Sequence, residues 1–112
     1  MRAKLLFAGL FLVAVSAYAE PRAASVEECY AYADLALVAS TLAKHGVTRD
    51  KTEMMLPDMY EVHSEDGQEM ARRIVEAAYR EHGRQPKSFA AEVANVCVLN
   101  GGSIDPALGV KL

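Results

Sequence analysis

The amino-acid sequence predicts an all-α protein, a compact bundle of four to five helices closed by one disulfide bond. Apolar residues recur at the three- and four-residue spacing of helices, and no run shows the two-residue alternation of a strand. Capping residues and glycines divide this pattern into segments of helical length. Two cysteines, Cys29 and Cys97, lie near the two ends of the helical region.

The first nineteen residues have the composition of a cleavable export signal. Arg2 and Lys4 give a basic start, residues 5–15 are apolar or small, and the stretch ends in an A-x-A cleavage pattern. The apolar run is shorter than the roughly 20 residues that a membrane-spanning helix needs, which disfavours the alternative of a retained anchor. We therefore expect cleavage after Ala19 and a single helical domain over residues 20–112.

Export and charge together limit the expected partners. The leader is typical of bacterial export, so we expect a periplasmic or secreted protein, in a compartment where paired thiols persist as disulfides. Loss of Arg2 and Lys4 leaves 10 basic and 15 acidic side chains, a net charge of −5. That balance lacks the basic footprint of proteins that bind nucleic acid. No second apolar segment follows the leader, so we expect no integral membrane segment after cleavage. We expect the partner to be another protein.

The first helix is predicted over residues 25–45. Ser25 and Glu28 form a capping box, and Gly46 supplies the left-handed residue that follows a helix. Apolar residues cover most of its circumference and leave a thin polar stripe that includes Asp34. We expect this helix to be the central one, with Asp34 facing water; a buried Asp34 would instead be a functional candidate.

The second helical segment is predicted over residues 48–62, broken at Pro57 because proline lacks an N–H and clashes with the preceding turn. Met55, Met59 and His63 recur there at four-residue spacing. Thioether and imidazole groups in an exported protein are potential Cu(I) ligands. The break at Pro57 disrupts their register, so we prefer the alternative that they are core and loop residues and predict no metal site.

The third and fourth helices are predicted over residues 66–82 and 86–100. Asp66 and Glu69 form a second capping box, and Pro86 suits the first position of a helix. The charged face of the third helix can form opposite-charge pairs at four-residue spacing, and we interpret it as a solvated surface rather than a binding face. The tail should pack back on the bundle through four apolar residues: Ile104, Leu108, Val110 and Leu112.

Helix packing predicts that the two cysteines meet. Helices joined by short loops pack antiparallel, so with an even number of helices the start of the first lies beside the end of the last. Cys29 and Cys97 should therefore form a disulfide, in agreement with the export argument; two free thiols are the alternative. The chain-entropy model assigns such a bridge about 4 kcal/mol of stability.

Motifs for catalysis or cofactor binding are missing from the sequence. The serines lack the G-x-S-x-G context, and there is no H-x-x-x-H, C-x-x-C or C-x-x-C-H spacing. The disulfide would also occupy the only plausible nucleophiles. We therefore predict a protein that is not an enzyme, with no catalytic, cofactor-binding or metal-binding residues.

The layout resembles a loose class of small, exported, two-cysteine, all-helical proteins of Gram-negative bacteria. The resemblance rests on the leader, on Cys29 near the start of a long Ala/Leu helix, and on Cys97 followed by Gly101 and Gly102. Periplasmic acid-stress chaperones and periplasmic immunity proteins against cell-wall-degrading toxins are similar in size and location. The resemblance implies a small one-disulfide bundle, and it implies no site residues.

Three functions stay open on the sequence. The first is binding of another protein, as an inhibitor or immunity protein, through an exposed apolar or tyrosine-rich patch. The tyrosines that could form this patch are Tyr30, Tyr32, Tyr60 and Tyr79. The second is an acid-stress chaperone that exposes apolar surface below about pH 4, when its carboxylates protonate. The third is a carrier of a metal or small ligand.

Overall fold

The structure is a computed structural model that describes residues 21–60, 62, 64–80 and 85–109. Throughout this part of the chain the secondary structure is helical, which confirms the predicted all-α fold. The elements are α1 (Val26–Lys44), α2 (Arg49–Met59), α3 (Glu65–Arg80), α4 (Pro86–Leu99) and a C-terminal 3₁₀ helix (Asp105–Leu108). The predicted export signal lies outside the described residues, as do His63, Val110 and Leu112.

Helix α1 is the central element, packed against α4, α3 and α2. It begins as predicted, because Ser25 Oγ accepts the backbone N–H of Glu28 at 3.1 Å. The Glu28 carboxylate accepts the backbone N–H of Ala24 at 3.3 Å, one residue before the Ser25 N–H that a standard capping box would use. Gly46, with φ of +81°, provides the left-handed turn after the helix. The core residues of α1 are Cys29, Tyr32, Ala33, Leu35, Ala36 and Ala39.

Helix α2 is continuous through Pro57, so the predicted break is wrong, and it ends at Met59 rather than at residue 62. Proline removes one backbone donor from the ladder, but the fixed φ of its ring suits a helix. The ladder resumes beyond it, where the backbone N–H of Tyr60 bonds the carbonyl of Leu56 at 3.1 Å. A hydrogen bond of 2.7 Å between Thr52 Oγ1 and Tyr79 Oη ties α2 to α3.

Helix α3 begins at Glu65, and its cap is Ser64 rather than the predicted Asp66. Ser64 Oγ accepts the backbone N–H of Gly67 at 3.0 Å. Asp66 instead lies in the first turn, where a carboxylate is favoured by the helix dipole. The apolar residues on the buried face of α3 are Met70, Ala71, Ile74, Val75, Ala77 and Ala78.

Helix α4 returns to the start of α1, and the disulfide Cys29–Cys97 joins them with a Cα–Cα distance of 5.6 Å. This confirms the predicted pair. Beyond α4, Gly102 has φ of +100°, and its carbonyl accepts the backbone N–H of Ala23 at 2.9 Å. The segment before α1 and the segment after α4 are therefore joined beside the disulfide.

The C-terminal 3₁₀ helix packs on α4 and α3, and the predicted anchors Ile104 and Leu108 are buried. Arg73 of α3 pairs with Asp105 at 3.1 Å. Arg80 Nη2 donates to the carbonyl of Leu108 at 3.0 Å. The charged face of α3 is therefore not solvated along its whole length, because two of its arginines hold the tail in place.

Candidate functional site

An apolar surface lies beside the disulfide at one end of the bundle. Val26 and Tyr30, one turn apart on α1, are 51% and 56% exposed. Val98 of α4 is 41% exposed and lines the same groove as Val26, a depression of about 220 Å³ beside the disulfide. Leu99 follows it in the chain and is 81% exposed. These four residues are called the disulfide-end patch below.

The disulfide-end patch has a fixed base. Cys29 and Cys97 are buried beneath it, and their bond joins the two helices that carry the patch. Ala23 and Gly102 also line the groove and are joined by a backbone hydrogen bond. The apolar circumference of α1 predicted burial on most sides, whereas its first two turns leave Val26 and Tyr30 exposed in the described part of the protein.

The structure separates the four tyrosines that were predicted as a possible binding patch. Tyr30 belongs to the disulfide-end patch, while Tyr32 is buried and only 4% exposed. Tyr60 is half-buried and lies with Tyr32 along another cleft. Tyr79 bonds Thr52 and thereby holds α2 against α3. The tyrosines therefore do not form one surface.

A cleft of about 360 Å³ lies between α1 and the chain that follows α2, and is called the tyrosine cleft below. Its lining residues are Glu28, Ala31, Tyr32, Leu35, Tyr60, Val62 and Ser64. The hydroxyl of Tyr32 donates to Glu28 Oε1 at 3.4 Å. Burial, followed by the charges of Glu28 and Asp66, raises the pKa of Tyr32 to about 12.

Gly67 allows the walls of the tyrosine cleft to approach each other. A Cβ at this position would lie 2.7 Å from Val62 Cγ1 and 3.2 Å from Tyr32 Oη. The contact with Val62 is shorter than carbon atoms tolerate, so a side chain at position 67 would displace Val62 and crowd the hydroxyl of Tyr32. A glycine in the first turn of a helix is the feature of the sequence that indicates such a close approach.

A larger groove of about 540 Å³ runs between α2 and α3, and most of its charge is paired. Arg72 bonds Glu69 at 2.8 Å and Glu76 at 3.0 Å, and Arg73 bonds Glu69 at 2.9 Å. The hydrogen bonds that Glu69 accepts, first from Arg72 and then from Arg73, lower the pKa of Glu69 to about 2. Glu53 lies near Arg49, at 3.9 Å. The groove therefore presents internal ion pairs more than unpaired charge.

The other residues considered in the sequence have the following positions. Asp34 is exposed, as predicted for the polar stripe of α1. Met55 is half-buried and Met59 is 58% exposed. The expectation that Met59 is a core residue is therefore wrong. With His63 outside the described residues, the absence of a copper site at Met55, Met59 and His63 stays a prediction. Among the residues that are described, no three His, Cys, Asp or Glu side chains are grouped to hold a metal ion.

Comparison with known proteins gives no relative for this chain. No protein-family model, no curated protein and no solved structure matches it. Over the described ranges, none of the helices combines the length and apolar character required to cross a membrane. The surfaces of the molecule are therefore the basis on which a function can be assigned.

Proposed function

We propose that this protein is an exported, non-catalytic binding protein whose partner is another protein of the periplasm or cell exterior, as for an inhibitor or immunity protein. The observation that carries the proposal is the disulfide-end patch, where four exposed large apolar side chains lie within three chain positions of Cys29 or Cys97 and two of them, Val26 and Val98, line the groove beside the disulfide. Exposed apolar surface of this kind marks protein interaction sites. Tyr30 belongs to one of the three residue types, with tryptophan and arginine, that are enriched at the energetic centres of such interfaces.

The rigidity of the patch supports a binding role. The disulfide and the Ala23–Gly102 backbone bond fix α1 relative to α4, so a partner would meet a surface that is already ordered. Binding to an ordered surface avoids part of the entropy cost of association. Because both cysteines are used in the bond, neither thiol is available as a nucleophile.

The disulfide also supports the proposed location. Paired cysteines persist in oxidising compartments and are rare in the cytosol. The leader of the sequence has the composition of an export signal, and the chain that would remain is acidic. A protein surface is a better match for such a chain than nucleic acid.

The acid-stress chaperone alternative receives less support. Such a protein exposes apolar surface below about pH 4, when its carboxylates protonate. Glu69, whose pKa is lowered to about 2, keeps its pairs with Arg72 and Arg73 through that range. The ion pairs of Glu69 on α3 therefore persist until the pH approaches 2, which argues against opening of the protein at these pairs.

Site-specific photo-crosslinking in the producing cells tests the proposal. A photoreactive amino acid is placed at Tyr30 or at Leu99 in the disulfide-end patch, and at exposed Asp50 on α2 as the control. We expect positions 30 and 99 to give an adduct with the same protein, identified by mass spectrometry, and position 50 to give none. Adducts of equal yield from all three positions, or a homodimer alone, would contradict the proposal.

A further inference from the structure

We infer that the tyrosine cleft receives the side chain of a lysine on the protein partner, an inference that rests on the proposed function. The cleft combines apolar walls, two aromatic rings and one carboxylate in a space of about 360 Å³. It thereby offers a separate environment to the apolar stem and to the charged head of a lysine.

The apolar walls of the tyrosine cleft can contact the four-carbon stem of a lysine side chain. Ala31 and Leu35 of α1 form one side, and Val62 lies on the other. These side chains offer apolar contact to four methylene groups. The rings of Tyr32 and Tyr60 line the same space, and aromatic faces attract an ammonium group within about 6 Å.

The negative charge of the tyrosine cleft is complementary to the ammonium group of a lysine. Glu28 is the charged residue among the described lining residues. Its carboxylate accepts only neutral donors in the contacts of the described part of the chain: the Ala24 N–H at 3.3 Å and the Tyr32 hydroxyl at 3.4 Å. Asp34 and Asp66 add negative charge close by, since they raise the pKa of Tyr60 and Tyr32 in addition to the effect of burial.

The contrast with the α2–α3 groove favours the tyrosine cleft as the cation site. In that groove the carboxylate of Glu69 is shared by two arginines, so its charge is already balanced. Glu28 has no such partner among the described ion pairs, which makes its charge complementary to a cation supplied by another molecule. An acidic or neutral side chain would leave this carboxylate uncompensated.

A titration with small probes tests the cleft directly. The ¹H–¹⁵N correlation spectrum of the oxidised protein, purified after expression of the full chain, is followed with Nα-acetyl-lysine methylamide. The control probe is Nα-acetyl-norleucine methylamide, which has the four-carbon stem without the ammonium group. We expect saturable shifts at Ala31, Leu35 and Val62, and about fivefold weaker binding of the norleucine probe. Equal binding of the two probes, or no shift at these residues, would overturn the inference.

Matched variants locate the charge that is responsible. Glu28→Gln keeps the oxygen that accepts from Ala24 and Tyr32 but removes the charge, so we expect it to abolish the preference for lysine. Glu27→Gln removes one charge from the same exposed turn of α1 outside the cleft and should leave the preference intact. Tyr60→Leu, which leaves the cap untouched, should weaken lysine binding as well. A preference that survives Glu28→Gln would overturn the inference.

The probe titration tests the lysine site of the tyrosine cleft separately from the proposed binding function. The probe titration needs no partner, so it reports on the cleft even if crosslinking at Tyr30 finds no protein. Conversely, a specific adduct at Tyr30 together with equal binding of the two probes would sustain the proposed function and remove the role of the cleft.

Discussion

Gly102 fixes the way in which the chain segments on either side of the helices meet. Its φ of +100° is rare for residues with a side chain, and a Cβ there would clash with the carbonyl oxygen of Ala23. The same backbone position accepts the Ala23 N–H, so any outward shift breaks a hydrogen bond at the base of the disulfide-end patch. Local sequence showed only that two glycines end α4, whereas the reason for the second is contact with a residue far away in the chain.

Gly102→Ala should therefore be much more destabilising than Gly46→Ala. Gly46 also has positive φ, but a Cβ there would meet nothing within 4 Å, so the expected cost is only conformational, about 1 kcal/mol. For Gly102→Ala the clash adds to that cost, and we expect a loss of about 3 kcal/mol. Urea unfolding of both variants measures the difference; equal losses would show that the contact with Ala23 relaxes at no cost.

Ionisation of Glu69 makes the stability of the fold depend on pH. Its pKa is lowered to about 2 by Arg72 and then Arg73, whereas an unfolded glutamate titrates near 4.3. The ionised form therefore stabilises the folded state, fully above about pH 4.5, and this contribution is lost as the pH falls towards 2. Because these side chains are partly exposed, solvent screening limits the effect to about 1 kcal/mol.

Glu69→Gln should remove this contribution. We expect the variant to unfold with about 1 kcal/mol less free energy than the native protein at pH 6, and with the same free energy near pH 2. Chemical denaturation over this pH range checks the result. A deficit that stays constant down to pH 2 would mean that the carboxylate acts through packing instead of charge.

At the scale of the elements, local chemistry predicted most of the helix boundaries. Ser25, Gly46 and Pro86 act where the sequence placed them, because capping depends on a few neighbouring residues. Pro57 was misjudged, since a proline in the last turn costs one backbone bond and leaves the helix continuous. Ser64 was missed because a serine followed by Gly67 lacks the acidic partner of a capping box.

Ser64 and Asp66 have different roles at the start of α3. Ser64→Ala removes the acceptor for the Gly67 N–H and should cost about 1 kcal/mol. Asp66→Ala removes only a favourable interaction with the helix dipole and should cost about half as much. Urea unfolding of the two variants gives the comparison, and a larger loss for Asp66→Ala would restore the cap originally predicted.

The surfaces of the elements were harder to predict than their boundaries. The apolar composition of α1 indicated a buried helix, but exposure of Val26 and Tyr30 depends on which sides α2, α3 and α4 cover. The tyrosine cleft likewise depends on the spacing between α1 and the chain before α3. Composition describes one helix at a time, so it could not predict a surface formed by several.

For the whole molecule, the predicted disulfide between Cys29 and Cys97 is confirmed. The two cysteines are 68 positions apart, and they are joined as the antiparallel packing of helices indicated. A bridge of this span restricts the unfolded chain strongly, which matters for a domain with little core.

Replacement of both cysteines by alanine should lower the free energy of unfolding by about 4 kcal/mol in the chain-entropy model. The slope of the unfolding free energy with urea reports whether the unfolded state has also expanded. A loss below about 1 kcal/mol would show that the helices alone hold the ends of the bundle together.

The most direct test of the account is the affinity between the protein and the partner that crosslinks at Tyr30. Tyr30 is exposed, so Tyr30→Ala should leave stability unchanged, while the dissociation constant should rise about 30-fold, the loss of a hot-spot residue. Asp50→Ala should leave the affinity unchanged. Native affinity in both Tyr30→Ala and Val98→Ala would contradict the claim that the disulfide-end patch is the binding surface.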